Sequence, residues 1–78
     1  MVKPGRPLSD LELRHLRLLL FGRERAAFNT RWFDERLEDF VLECRETGSS
    51  VRVIAEAADV GPSTVQGWIK NASRRRGG

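Results

Sequence analysis

The sequence predicts an all-α protein of four helices, and three observations carry that expectation. Apolar residues recur at spacings of three and four through residues 10–21, 31–47, 51–58 and 62–72, the period of a helix with one face against a core. Each stretch is preceded by a capping residue or opens on proline, and glycines stand near several ends. No segment alternates apolar and polar residues as a half-buried strand does. Seventy-eight residues allow one small domain, whose core is marginal alone, so a second subunit or a bound ligand would add stability.

Residues 1–8 read as a basic extended arm, because Pro4, Gly5 and Pro7 prevent regular structure. Ser9-Asp10-Leu11-Glu12 is a capping box, and the helix it starts is expected to reach about Phe21, with Gly22 as its stop. Arg23 to Phe28 continue as an irregular turn. Asn29 and Thr30 offer the next cap, and a longer helix runs from Arg31 to about Thr47, closed by Gly48. Ser49 or Ser50 caps a third helix, Val51 to Ala58. Asp59-Val60-Gly61 forms the turn, and Pro62 opens a fourth helix, where its missing N–H does no harm. That helix is expected to end near Ala72, leaving 73–78 as a basic flexible tail.

The apolar stripes define the expected core. The second helix places Phe33, Leu37, Phe40, Val41 and Cys44 on one face. Its opposite face carries Asp34, Glu35, Glu38, Asp39, Glu43 and Glu46, expected to be solvated, with a protein partner as the alternative. The first helix has Leu13, Leu16 and Leu20 on one side and Leu11 and Leu18 on nearly the other. A helix with two apolar faces needs two things to pack on, so Leu11 and Leu18 are candidate dimer contacts. In the last two helices, Val51, Ile54, Ala55 and Ala58 face Val65, Trp68, Ile69 and Ala72.

Composition narrows the function. Cys44 is the only cysteine and His15 the only histidine, which excludes an internal disulfide and leaves too little for an ordinary metal or hydrolase site. No cofactor, no metal and no catalytic residue are expected. The longest apolar run, Leu18 to Phe21, is far too short to span a bilayer. No apolar signal region follows Lys3 and Arg6, so a cytoplasmic protein is expected. The net charge is +3 and unevenly spread. Residues 1–8 and 49–78 are net positive and the middle is net negative, which suits a polyanion contacted by the two ends.

Opposite the core, the fourth helix carries Ser63, Gln66, Gly67 and Lys70 in one stripe, opened by Pro62. Gln66 can pair bidentately with adenine, Lys70 can reach guanine or a phosphate, and Ser63 can serve either base type. Gly67 costs about 1 kcal/mol relative to alanine inside a helix, a cost that close backbone approach to a base pair would justify. These five are the expected base-reading residues. Arg52, Thr64, Arg74, Arg75 and Arg76 are the expected phosphate contacts, which position without specifying sequence.

The pattern from Ile54-Ala55 through Ser63-Thr64-Val65 to Trp68-Ile69 resembles the helix-turn-helix of bacterial regulators and serine recombinases with a homeodomain-like trihelical fold. With the second helix as support, the resemblance covers about residues 31–72, preceded by an extra N-terminal helix. Asp59 stands where such motifs usually have glycine, and aspartate tolerates the left-handed conformation better than most residues. Gly61 stands where they often have serine. Gly5-Arg6-Pro7 is similar to the arm of DNA invertases and resolvases and to the core of an AT-hook, which implies Arg6 in the minor groove and a phosphate contact from Lys3.

The resemblance implies a dimeric, sequence-specific binder of double-stranded DNA in a bacterial or phage setting, acting as a transcriptional regulator, most simply a repressor. Two alternatives stay open: an excisionase-like recombination accessory, and a protein–protein adaptor using the first two helices.

Overall fold

The computed structural model describes residues 6–26 and 30–77, and within them the chain forms four helices and no strand. They are α1 (Asp10–Arg25), α2 (Thr30–Glu46), α3 (Val51–Ala58) and α4 (Pro62–Gly77). The all-α, four-helix fold is the one the sequence predicts. Lys3, at the start of the expected arm, lies outside the described residues.

The capping box of α1 forms as expected. The Ser9 hydroxyl accepts from the Glu12 N–H at 3.1 Å, and the Glu12 carboxylate accepts from the Ser9 N–H at 2.8 Å. Gly22, however, does not stop the helix, which continues to Arg25. Its role is steric: a Cβ at Gly22 would run into the Phe33 ring of α2. The glycine lets the two helices cross closely, and this need is a property of the packing, not of the helix end.

α2 and α3 both end on a Schellman motif, with a left-handed residue satisfying the last carbonyls. After α2 that residue is Gly48, at φ +112°. Its N–H donates to the Arg45 carbonyl at 3.2 Å, and the Ser49 N–H to that of Cys44 at 3.0 Å. After α3 it is Asp59, at φ 57° and ψ 46°. The Asp59 N–H donates to the Glu56 carbonyl at 3.3 Å and the Val60 N–H to that of Ala55 at 3.0 Å. The turn thus takes the left-handed conformation expected of it, with aspartate in the position. Ser50, not Ser49, caps α3, accepting from the Val53 N–H at 3.1 Å.

The core lies where all four helices meet. Leu16, Leu37, Val41, Ile54 and Val65 are almost wholly buried, and Ala55 is buried with them. Trp68, Ala58 and Ala72 are buried as the periodicity implies. Leu19 joins them, whereas Leu13 and Leu20 are only half-buried, so the buried side of α1 is rotated from the expected one.

Residues 6–8 are not a free arm. The Arg6 N–H donates to the Gly48 carbonyl at 2.9 Å, and its guanidinium donates to the Glu12 carboxylate at 2.8 Å, the Thr47 hydroxyl at 3.0 Å and the Thr47 carbonyl at 3.2 Å. A cation over the last carbonyls of α2 also complements the helix dipole. The Arg6 guanidinium, joined by the Ser9 N–H, holds the Glu12 carboxyl down at about 2, against an ordinary 4.5. A depressed carboxyl pKa stabilises the fold above the unfolded value and loses that contribution as pH falls through the folded one. The window here is therefore about pH 4.5 down to 2. Glu12→Gln is expected to lower the melting temperature by about 5 °C at pH 7, allowing for partial exposure of the pair. The difference between the two proteins should shrink as pH drops towards 2 in thermal melts followed by circular dichroism.

Candidate nucleic-acid interface

α4 positions the candidate site by having two edges of opposite electrostatic character. Its inner face packs Val65, Trp68 and Ala72 into the core. This turns Pro62, Ser63, Thr64, Gln66, Gly67 and Lys70 outward, and all six are exposed. The five expected base-reading residues thus share one solvent-facing surface. At Gly67 an added Cβ would meet nothing within 4 Å. The backbone there is bare and approachable from outside, and nothing within the protein requires the glycine.

One edge of α4 runs against α2, and there Arg75 and Arg76 are engaged. Arg75 donates to the Glu38 carboxylate, to Asp39 at 2.9 Å and to the Glu35 carbonyl at 3.0 Å. Asn71 donates to Glu38 at 3.0 Å. Arg76 donates to Glu46 at 3.0 Å. Glu38 is only 8% exposed, so the charge expected on a solvated face is buried and answered by Arg75. These ties hold α4 helical to Gly77, five residues beyond its expected end at Ala72, so 73–77 is not a flexible tail.

The cations expected to contact phosphate or the minor groove differ in how far the fold already engages them. Arg75 and Arg76 already have carboxylate partners, and Arg6 is fixed to Glu12 and Thr47, so none of the three is a free cation. Arg52 and Arg74 are exposed, as is Thr64 in the first turn of α4. Arg52 faces Glu56 only across 3.6 Å with both side chains largely exposed, a weak pair that a phosphate could displace.

The other edge of α4 forms one wall of an open groove of about 890 Å³. Arg45 from the last turn of α2 and Val51 from the start of α3 form the facing wall. Gln66, Lys70 and Arg74 line it from α4, together with Ser73 and Ile69. Among the described residues, no carboxylate lines this groove. Arg45, Lys70 and Arg74 pair with no carboxylate among the described residues. Sequence reasoning did not single out Arg45, which lies between Glu43 and Glu46 on an acidic helix. Its position in the final turn before Gly48 is the only local sign that it sits at a corner of the fold.

On the far element, α1 leaves Leu11, Leu18 and Phe21 at 75%, 62% and 57% exposure. The expected second apolar face is thus present and uncovered, with Phe21 extending it under the Arg25 guanidinium.

Cys44 is buried, and burial raises its thiol to about 11, which leaves it without thiolate character near neutrality. Among the described residues, no cluster of three or more His, Cys, Asp or Glu is placed to hold a metal, and no helix is long and apolar enough to cross a membrane. No family model, no curated protein and no solved structure matches this chain.

Proposed function

We propose that the protein is a small sequence-specific double-stranded DNA-binding protein that regulates transcription, most simply as a repressor occupying an operator. α4 enters the major groove with Ser63, Gln66 and Gly67 towards base edges. The observation that carries this reading is the outward face of α4. It is polar, exposed, free of carboxylates and bare at Gly67, and it borders a groove with three cations that have no carboxylate partner among the described residues. A surface of that charge attracts phosphate, and short polar side chains can hydrogen-bond base edges without steric conflict.

The acidic side of α2 lies on the opposite edge of α4, and its charge is partly answered by Arg75 and Arg76. This arrangement lets α4 approach DNA without carboxylates in front of it. It also leaves less of the acidic face for an adaptor role. The uncovered Leu11, Leu18 and Phe21 favour a second copy of the chain on α1, since paired recognition helices read two half-sites of a two-fold operator. The setting that fits is the bacterial cytoplasm, with host or phage DNA as the partner.

Selection from random duplexes at moderate salt tests the reading. The wild-type chain is expected to enrich a defined motif. Gln66→Ala is expected to lose about 1–3 kcal/mol of discrimination at one A·T position while keeping its helicity. Recovery of the same motif with the same preference by Gln66→Ala would remove α4 as the base reader.

A further inference from the structure

Two clefts flank α4, and their chemistry differs. The one towards α2 is lined by Asp34, Glu35 and Glu38 and by Arg31, Arg75 and Arg74, the last on the crest between the two clefts; Arg31 pairs with Glu35, and Arg75 with Glu35 and Glu38. A phosphate entering there would displace existing ion pairs and meet carboxylates at once. The cleft on the other side, between α4 and the corner where α2 gives way to α3, has Arg45, Lys70 and Arg74 and no acid among the described residues. Its apolar lining is Val51 and Ile69, both half-buried.

We infer that one strand of the DNA backbone runs through this second groove, with Arg45 across from Lys70 and Arg74 and the strand between them. The inference rests on the DNA reading above and adds to it a side, a direction of approach and a residue. Three cations from two elements line one channel, and each lacks a carboxylate partner among the described residues. Like charges gathered without counter-charge repel, and a polyanion passing between them relieves that repulsion. The half-buried apolar lining suits sugar carbons, and the Ser73 hydroxyl can donate to a phosphate oxygen.

The assignment also divides labour along α4. Lys70 and Arg74 face the groove and serve the backbone, so Lys70 moves from base reading to phosphate binding. Base reading then falls to Ser63, Gln66 and Gly67, with Gln66 on the rim between the two functions. Arg45 takes the positioning role that the sequence assigned to Arg75 and Arg76.

The test measures duplex affinity against salt for the full chain and for Arg45→Ala, Arg45→Lys and Arg17→Ala. A selected duplex and a scrambled one of equal length serve as probes. Arg45→Ala is expected to weaken both duplexes severalfold and alike, and to reduce the slope of log affinity against log salt by about one. Arg45→Lys should restore the slope. Arg17→Ala, on exposed α1 and outside the groove, should change neither.

Circular dichroism should show unchanged helicity throughout, since the Arg45 side chain has no hydrogen bond to lose among the described residues. If the wild type binds and Arg45→Ala matches it in affinity and slope, the groove is not the backbone track, although the DNA reading stands. Loss confined to the selected duplex would make Arg45 a base reader and overturn the assignment. Failure of the wild type to bind either duplex at low salt would sink the DNA reading itself.

Discussion

Arg75→Ala is expected to lower the stability of the protein by about 2 kcal/mol, a fall of roughly 10 °C in melting temperature for a domain of this size. The cost arises at Glu38, which is 8% exposed and would keep only Asn71 as a hydrogen-bonding partner. A buried carboxylate stripped of its cation loses far more than the net worth of the pair. The last turn of α4 should fray in the same variant, since Arg75 also anchors that turn to Asp39 and to the Glu35 carbonyl. Adding Glu38→Gln should recover part of the loss by removing the stranded charge. Arg74→Ala, one residue away, should leave the melting temperature within about 2 °C, as expected for an exposed side chain with no ion pair among the described residues. An unchanged melting temperature for Arg75→Ala would mean that the clasp contributes nothing, and Arg75 would again be available to phosphate.

Reversing the charge at Lys70 and Arg74 together is expected to cost at least roughly a hundredfold in duplex affinity at about 0.1 M salt, for selected and unrelated sequences alike. Two attractive contacts become two repulsive ones inside a channel whose remaining cation is Arg45. Both side chains are exposed and have no ion pair among the described residues, so the fold should melt within about 3 °C of the wild type. The stability effect at Arg75 and the binding effect at Lys70 and Arg74 are thus expected to separate along one helix, according to the edge each residue occupies. Full retention of affinity by Lys70→Glu with Arg74→Glu would show that DNA passes elsewhere, and both the groove and the orientation of α4 would have to be abandoned.

What the sequence made legible is local. The Ser9–Glu12 capping box, the Pro62 start, the glycine end of α2 and the left-handed Asp59 are each encoded within a few residues, and each forms as read. The helical period also gave most of the core and the outward stripe of α4, because burial follows from which side of a helix is apolar.

What could not be read depends on partners distant in the chain. Gly22 resembles a helix stop until the Phe33 ring is placed against it. Arg75 and Glu38 lie 37 residues apart, and neither has a local feature announcing the other. Their pairing lengthens α4, buries a carboxylate expected in solvent and engages one of the arginines expected on phosphate, as Glu46 engages Arg76. Arg6 has the same history, since its partners Glu12 and Thr47 come from two helices. Charge runs in a sequence show where charge is, but only packing shows which of it is already answered.

If the outward face of α4 meets DNA, a backbone amide NMR titration of this 78-residue chain with its selected duplex should show shifts concentrated at Ser63, Gln66, Gly67, Lys70 and Arg74, with Arg45 the main site outside α4. Shifts confined to α1 around Leu11 and Leu18, or to the acidic side of α2, would contradict it.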